Sequence, residues 1–277
     1  MMDNPLDWHG PAFLFLYFIL FVAAWRLAVI IPRRLRPSGQ SAGTPDDETL
    51  AFLAGHAPRL VEAGVARLLA SGALVIQEGK RFLRGSGVPG GASLDRALLA
   101  VSMPASWDDF AKAAKPHAEA IERRLIASRL LIDRGEARRI GLVAALPFTG
   151  LFLFGSAKLM VGLSRDKPVG FLIAFLVVTL IAILIRIFAV DRRTGGAVEA
   201  VASARERHER LRRAPTTDET GRAVALFGTT VLAGSAFAAL HQMRTQSDSG
   251  SGGGGDGGGD GGGCGGGGCG GCGGCGG

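Results

Sequence analysis

Three long apolar runs divide this charge-bearing chain, and they limit its fold more than any other feature. Mean hydropathy is +0.27 although 20% of residues are charged, so the apolar residues must be segregated from the charges. Each run is close to the ~20 residues that carry a helix across ~30 Å of hydrocarbon at ~1.5 Å per residue. The reading is a mainly α, multi-span membrane protein.

The first run covers residues 11–31 and is followed at once by Arg33, Arg34 and Arg36. Residues 1–10 carry Asp3 and Asp7 but no Lys or Arg. The positive-inside rule then puts residues 1–10 outside and the arginines in the cytoplasm. A cleaved leader would have a basic start and a shorter apolar core, so this run reads as a retained anchor. Trp8 and Trp25 flank it as interfacial anchors do.

The second run, 140–163, follows Arg138 and Arg139, and the third, 168–190, precedes Arg192 and Arg193. Only Ser164–Lys167 separates them, so they form a hairpin with both outer ends basic and cytoplasmic. Pro147 predicts a kink that a membrane helix tolerates. Lys158 and Arg186 lie within about two turns of a helix end, where long side chains snorkel to the interface. Residues 223–240 are a fourth candidate, short and broken by Gly228, Gly234 and Ser235. Their Thr230, Gly234 and Ala238 suit close helix approach. They either span or pack on the cytoplasmic region, and the choice fixes the side of the C-terminus.

After a linker at 32–45, residues 46–138 read as cytoplasmic helical tandem units. Thr44–Glu48 offers a helix start. A short helix runs through Leu50, Phe52 and Leu53 and breaks at Gly55. A second runs from Pro58 to Gly72. Ala73–Gln77 and Arg81–Arg84 form a strand pair turning at Glu78–Lys80. Helix, helix and hairpin are the order of a winged helix, giving a small α(+β) winged-helix-like unit. Arg67–Leu68–Leu69–Ala70–Ser71 recurs as Arg124–Leu125–Ile126–Ala127–Ser128, with Leu74 matched by Leu131, which supports a tandem. The helix from Pro58 offers only Arg59, Glu62 and Arg67, a poor surface for reading DNA. Protein–protein packing is therefore the expected use, with no nucleic acid as partner.

Residues 191–222 are basic. Glu206–Arg210 and Glu209–Arg213 have helix-supporting spacing, and Arg192, Arg193, Arg212 and Arg213 are candidate contacts to anionic lipid. Residues 245–277 are almost wholly Gly toward their end, which cannot build a core and predicts a disordered tail. All four cysteines lie there, at Cys264, Cys269, Cys272 and Cys275. Their C-x4-C-x2-C-x2-C spacing allows labile zinc or another thiophilic metal, thiol chemistry, or ring closure by a modifying enzyme acting on Gly–Cys steps. The surroundings lack the packing of a dedicated metal site. The histidines show no metal spacing, and no Walker loop, nucleophile elbow or HExxH occurs. No catalytic constellation and no cofactor is expected.

The segments Ala51–Gly55, Arg59–Gly72 and Ala223–Gly228, together with the Gly/Cys tail, resemble a family of bacterial integral membrane proteins. Its members share an N-terminal anchor, a cytoplasmic helical region, a membrane hairpin and a Gly/Cys-rich C-terminus. The resemblance implies a multi-pass bacterial plasma (inner) membrane protein and brings no activity with it. The functional expectation is a membrane-anchored scaffold or adaptor that binds a protein partner through the cytoplasmic units. The alternative is a metal- or thiol-active, or modified, membrane protein acting through the cysteines.

Overall fold

A computed structural model describes residues 10–39, 43, 45–77, 80–164 and 170–250. The chain is mainly helical with one small sheet. Helix α1 (Gly10–Leu35) is followed by α2 (Asp47–Ala70), strands β1 (Leu74–Gln77) and β2 (Arg81–Arg84), α3 (Ser93–Leu99) and α4 (Trp107–Ala127). Then come α5 (Arg134–Leu163), α6 (Gly170–Phe188), α7 (Gly195–Arg207), α8 (Thr220–Phe227) and α9 (Ala238–Gly250). Among the described residues, α1, α5 and α6 are the three helices long and apolar enough to cross a membrane.

These three form one bundle, with α5 packed along both α1 and α6. Its interior is built from small and aromatic residues. Ala24, Ala28 and Ala182 surround the buried Phe148, and Phe13 and Tyr17 pack with Leu151, Leu172 and Leu176. A Cβ at Gly155 would lie 2.7 Å from the Tyr17 ring, so only glycine admits that ring. Tyr17 and Thr179 share a buried hydrogen bond of 2.9 Å. The outer faces carry exposed Phe15, Ile19, Leu146, Leu153, Phe171 and Ile185. Helix α5 continues through Pro147.

The remaining elements form one body outside the bundle. Its core joins Leu60, Leu68, Phe82, Leu98, Phe110 and Leu125 to Ala197, Val201, Val224, Ala225, Leu232 and Leu240. Helix α2 is its axis. The sequence places a break at Gly55, and there Gly55 and His56 leave helical geometry, His56 at φ 57°. Pro58, which lacks an N–H, falls in the first turn of the segment that restarts after the break, where no intrahelical partner is needed. Strands β1 and β2 pair antiparallel, Leu74 opposite Arg84, and Phe82 forms a bridge with Ala105. A full capping box between Ser106 and Asp109 starts α4.

The repeat has a physical counterpart. Both copies end their helix with Ser71 or Ser128 donating to the carbonyl three residues back, at 3.1 and 3.2 Å. Each then turns through a left-handed residue, Gly72 at φ 71° or Arg129 at φ 56°. The first copy enters the hairpin, whereas Leu131 of the second bridges Arg193 beyond the third span. The two copies share one core with α7, α8 and α9 instead of standing apart.

The fourth candidate span is corrected here. Residues 223–240 do not make one helix: α8 ends at Phe227, Gly228 takes φ 85°, and a short 3-10 turn, Thr229–Leu232, follows. Val224, Ala225, Leu226 and Leu232 are fully buried in the extramembrane body, chiefly against α2. They are apolar because they belong to its interior, not because they face lipid. Because α1, α5 and α6 alternate in direction along the bundle, the ends at Leu35, Arg134 and Phe188 lie together, as a core shared by the segments that leave them requires.

Candidate functional site

All three span ends on that side are tied to the body by one collar of ion pairs. Asp191, three residues past α6, accepts from Arg36 below α1 at 2.9 Å and from Arg193 at 3.1 Å. Glu122 on α4 accepts from Arg192 at 2.8 Å and from Arg134, at the start of α5, at 3.1 Å. Backbone bonds reinforce the joint: the Ile132 N–H donates to the Arg192 carbonyl at 2.7 Å, and the Thr194 N–H to the Leu130 carbonyl at 3.1 Å. Buried Thr194 caps α7 and also donates to the Leu130 carbonyl. Burial works against the charged forms of Asp191 and Glu122. Hydrogen bonds and charge from Arg193 and Arg36, and from Arg192 and Arg134, outweigh it and hold both carboxyls below the usual range.

Arg192 and Arg193 are therefore not lipid contacts. Their side chains are 19% and 11% exposed and are occupied in this collar. Arg212 and Arg213 remain on the surface. The predicted helical pairs of Glu206 and Glu209 do not form, because α7 ends at Arg207 and a 3-10 turn, Glu209–Arg212, follows. Arg210 instead pairs with Glu219.

Two further charge clusters brace α2. At its last turn, fully buried Asp95 on α3 receives Arg67 through Nε at 3.0 Å and Nη2 at 2.6 Å. Glu48 lies 3.5 Å from the same Arg67 and 2.7 Å from His117 Nε2. Burial opposes the Arg67 charge, but Asp95 and Glu48 more than compensate and raise its pKa. On the other flank Glu62 accepts from Arg244 of α9 at 3.0 Å and faces Arg59 at 3.4 Å. The Arg244 guanidinium also lies 4.6 Å over Trp107. Arg59 and Arg205 donate to the Val224 and Leu226 carbonyls at the end of α8. Gly228 takes φ 85°, a conformation that favours glycine, and a Cβ there would displace the Arg59 guanidinium.

One open cleft of about 520 Å³ lies beside this second cluster. It is lined by Arg205, Glu206, Glu209 and Arg212 from α7 and the following turn, and by Leu226, Phe227 and Thr230. Its walls mix both signs of charge around an apolar floor. That suits a peptide or protein segment better than a small polar substrate.

Of the residues singled out from sequence, Cys264, Cys269, Cys272 and Cys275 lie outside the described residues. Among the described residues, no group of three or more His, Cys, Asp or Glu side chains is placed to hold a metal ion. Lys158 sits 5.1 Å over the Phe13 ring and Arg186 4.9 Å over the Trp25 ring, each near a bundle end. The collar was not foreseen. Its one signal in the sequence is a lone Asp191 directly before two arginines and after an apolar run. No family model matches the chain, and neither a curated protein nor a solved structure matches it.

Proposed function

We propose that this chain is a membrane-anchored scaffold or adaptor. Its extramembrane body, with a winged-helix-like helix–helix–hairpin unit, lies in the cytoplasm of a bacterial cell beneath the plasma membrane. The N-terminus lies outside. The body binds a protein partner and presents the Gly/Cys tail. The observation that carries the reading is the collar: Asp191 and Glu122 tie all three span ends to one core, fixing the body to its anchor. The charged cleft between α7 and α8 is the partner surface. The side assignment rests on Arg33, Arg34, Arg138 and Arg139 at the span ends nearest the body.

The test uses the whole chain in its native membrane. A photo-crosslinking residue at Phe227 or Thr230 is expected to give one discrete protein adduct. The same probe at Val88, 83% exposed on a distant loop, is expected to give none. Identical adduct patterns at all three positions, or none at any, would remove the support for a partner cleft. A compartment-sensitive reporter fused after Gly277 checks the sidedness.

A second reading places chemistry on Cys264, Cys269, Cys272 and Cys275, and their clustered spacing favours it. Helix α9 packs on the body through buried Leu240. A cytoplasmic body would keep the thiols in a reducing compartment. Intact-mass analysis of the C-terminal peptide distinguishes the outcomes. Bound metal or the loss of one water and two hydrogens per cysteine would support it, and unmodified metal-free thiols would count against it.

A further inference from the structure

The body-side end of the bundle holds a cation that has no carboxylate counter-ion among the described residues. Helices α1 and α6 run in the same direction, and their register is fixed by the Tyr17–Thr179 hydrogen bond and by Ala24, Ala28 and Ala182 around Phe148. Trp25 and Arg26 are therefore level with the last turn of α6. There the Arg186 guanidinium lies 4.9 Å from the Trp25 ring centre. Phe188, two residues on, ends the helix, so this pair sits at the edge of the hydrocarbon. Gly141 of α5 marks the same level, because a Cβ there would touch the Arg186 and Ile187 carbonyls at 3.0 Å.

Among the described residues Arg186 has no carboxylate partner, and its Nε is buried without a hydrogen bond. The nearby acids are committed or remote. Asp191 is taken by Arg36 and Arg193, and Glu136 lies more than one turn further along α5, on the far side of Arg138 and Arg139. Arg26 is exposed beside Trp25, and Arg33 is exposed seven residues on, on the same helix face. Arg138 and Arg139 are exposed just before Gly141. A guanidinium at the edge of the hydrocarbon is at the level of the lipid phosphates, and an anion there satisfies it. Stacking on an indole holds it in one plane, and the planar fork matches phosphate oxygens in pairs.

We propose that Arg186, stacked on Trp25, binds the phosphate group of an anionic phospholipid in the leaflet adjoining the body, with Arg26 beside it adding charge. The site holds lipid against the groove between α1 and α6. It requires the three-span bundle and is independent of what the body binds.

The test is native mass spectrometry of the full-length chain released from nanodiscs of equal phosphatidylglycerol and phosphatidylcholine. Wild type is expected to retain phosphatidylglycerol selectively. Arg186→Gln is expected to lower that retention about fivefold, the factor matching roughly 1 kcal/mol per basic residue at an anionic surface. Arg186→Lys, which keeps charge but loses the planar stack, is expected to fall between. Arg123→Gln, on the body's exposed surface, is expected to change nothing. Equal retention of both lipids by wild type overturns the proposal without any variant. Equal losses in Arg186→Gln and Arg123→Gln overturn the assignment to Arg186. Displacement of lipid by millimolar inorganic phosphate, with a phosphate adduct in its place, overturns the lipid as source.

Discussion

The membrane bundle and the extramembrane body are held together by opposite means. In the body the large apolar residues Leu60, Phe82, Leu98 and Phe110 are buried, and the buried charge of Asp95 is matched by a two-pronged Arg67. In the bundle large apolar residues line the outside, while Tyr17, Thr179, Ala28 and the space at Gly155 form the inside. Water expels apolar surface into the body, at roughly 25 cal/mol per Å². Lipid gives no such drive, so the bundle relies on close fit. The two regions should therefore fail through different kinds of substitution.

The largest effect is expected from cutting the body. Residues 46–138 alone lack Val201, Val224, Leu232 and Leu240, which share their core. That fragment is expected to show no cooperative thermal transition by circular dichroism, whereas the full chain in detergent does. A cooperative fragment would mean that the inter-span segment is its own domain. Next, Asp95→Ala leaves Arg67 in a partly buried site without its main partner, at a cost of about 3 kcal/mol. Urea titration should show the body yielding first while the bundle keeps its helical signal.

The converse probe is Gly155→Leu. It drives a side chain into Tyr17 and Leu176, an overpacking expected to cost about 1–3 kcal/mol. Denaturation in mixed micelles should register it in the bundle and leave the urea midpoint of the body unchanged. If both regions move together, the collar couples them more tightly than separate cores would allow.

The collar itself is tested by acid. Asp191 and Glu122 have folded pKa values below their ordinary 3.8 and 4.5. Their contribution is fully present above the ordinary values and is lost as pH falls through the lower folded ones. Hydrogen exchange at the Ile132 and Thr194 amides, corrected for intrinsic rate, is expected to stay flat from pH 8 to 5 and rise only below about pH 4. A rise already near pH 6 would place the weak joint outside these two carboxyls. The smallest effect is expected from Tyr17→Phe, about 0.6 kcal/mol. Thr179 gives its one hydroxyl proton to the Phe175 carbonyl at 2.8 Å, so losing the tyrosine hydroxyl strands no donor.

Much of the layout was legible in the chain. The bundle helices were foreseen because twenty consecutive apolar residues have few other solutions. The break at Gly55, the hairpin of Leu74–Gln77 with Arg81–Arg84, and the paired Ser71 and Ser128 endings follow from local backbone chemistry. The destination of Ala223–Leu240 was not legible. A short apolar stretch looks alike whether it faces lipid or a protein interior, and only the partner surface on α2 separates the two. Arg192 and Arg193 misled for a related reason: a basic flank is also what an ion-paired joint looks like before its acids, Glu122 and Asp191, are brought near.

The sequence by itself determined that three helices are long and apolar enough to cross a membrane and that charge is concentrated at their ends and in the segments between. Hydropathy and backbone chemistry act within a few residues, so they can be read locally. Only the tertiary structure decided that residues far apart in the chain build one body. It made Asp191 and Glu122 the joint to the anchor, turned the fourth apolar stretch inward, and left Arg186 on Trp25 without a carboxylate partner among the described residues. Those outcomes depend on which surfaces meet, and contacts across 60 to 180 residues leave no local trace.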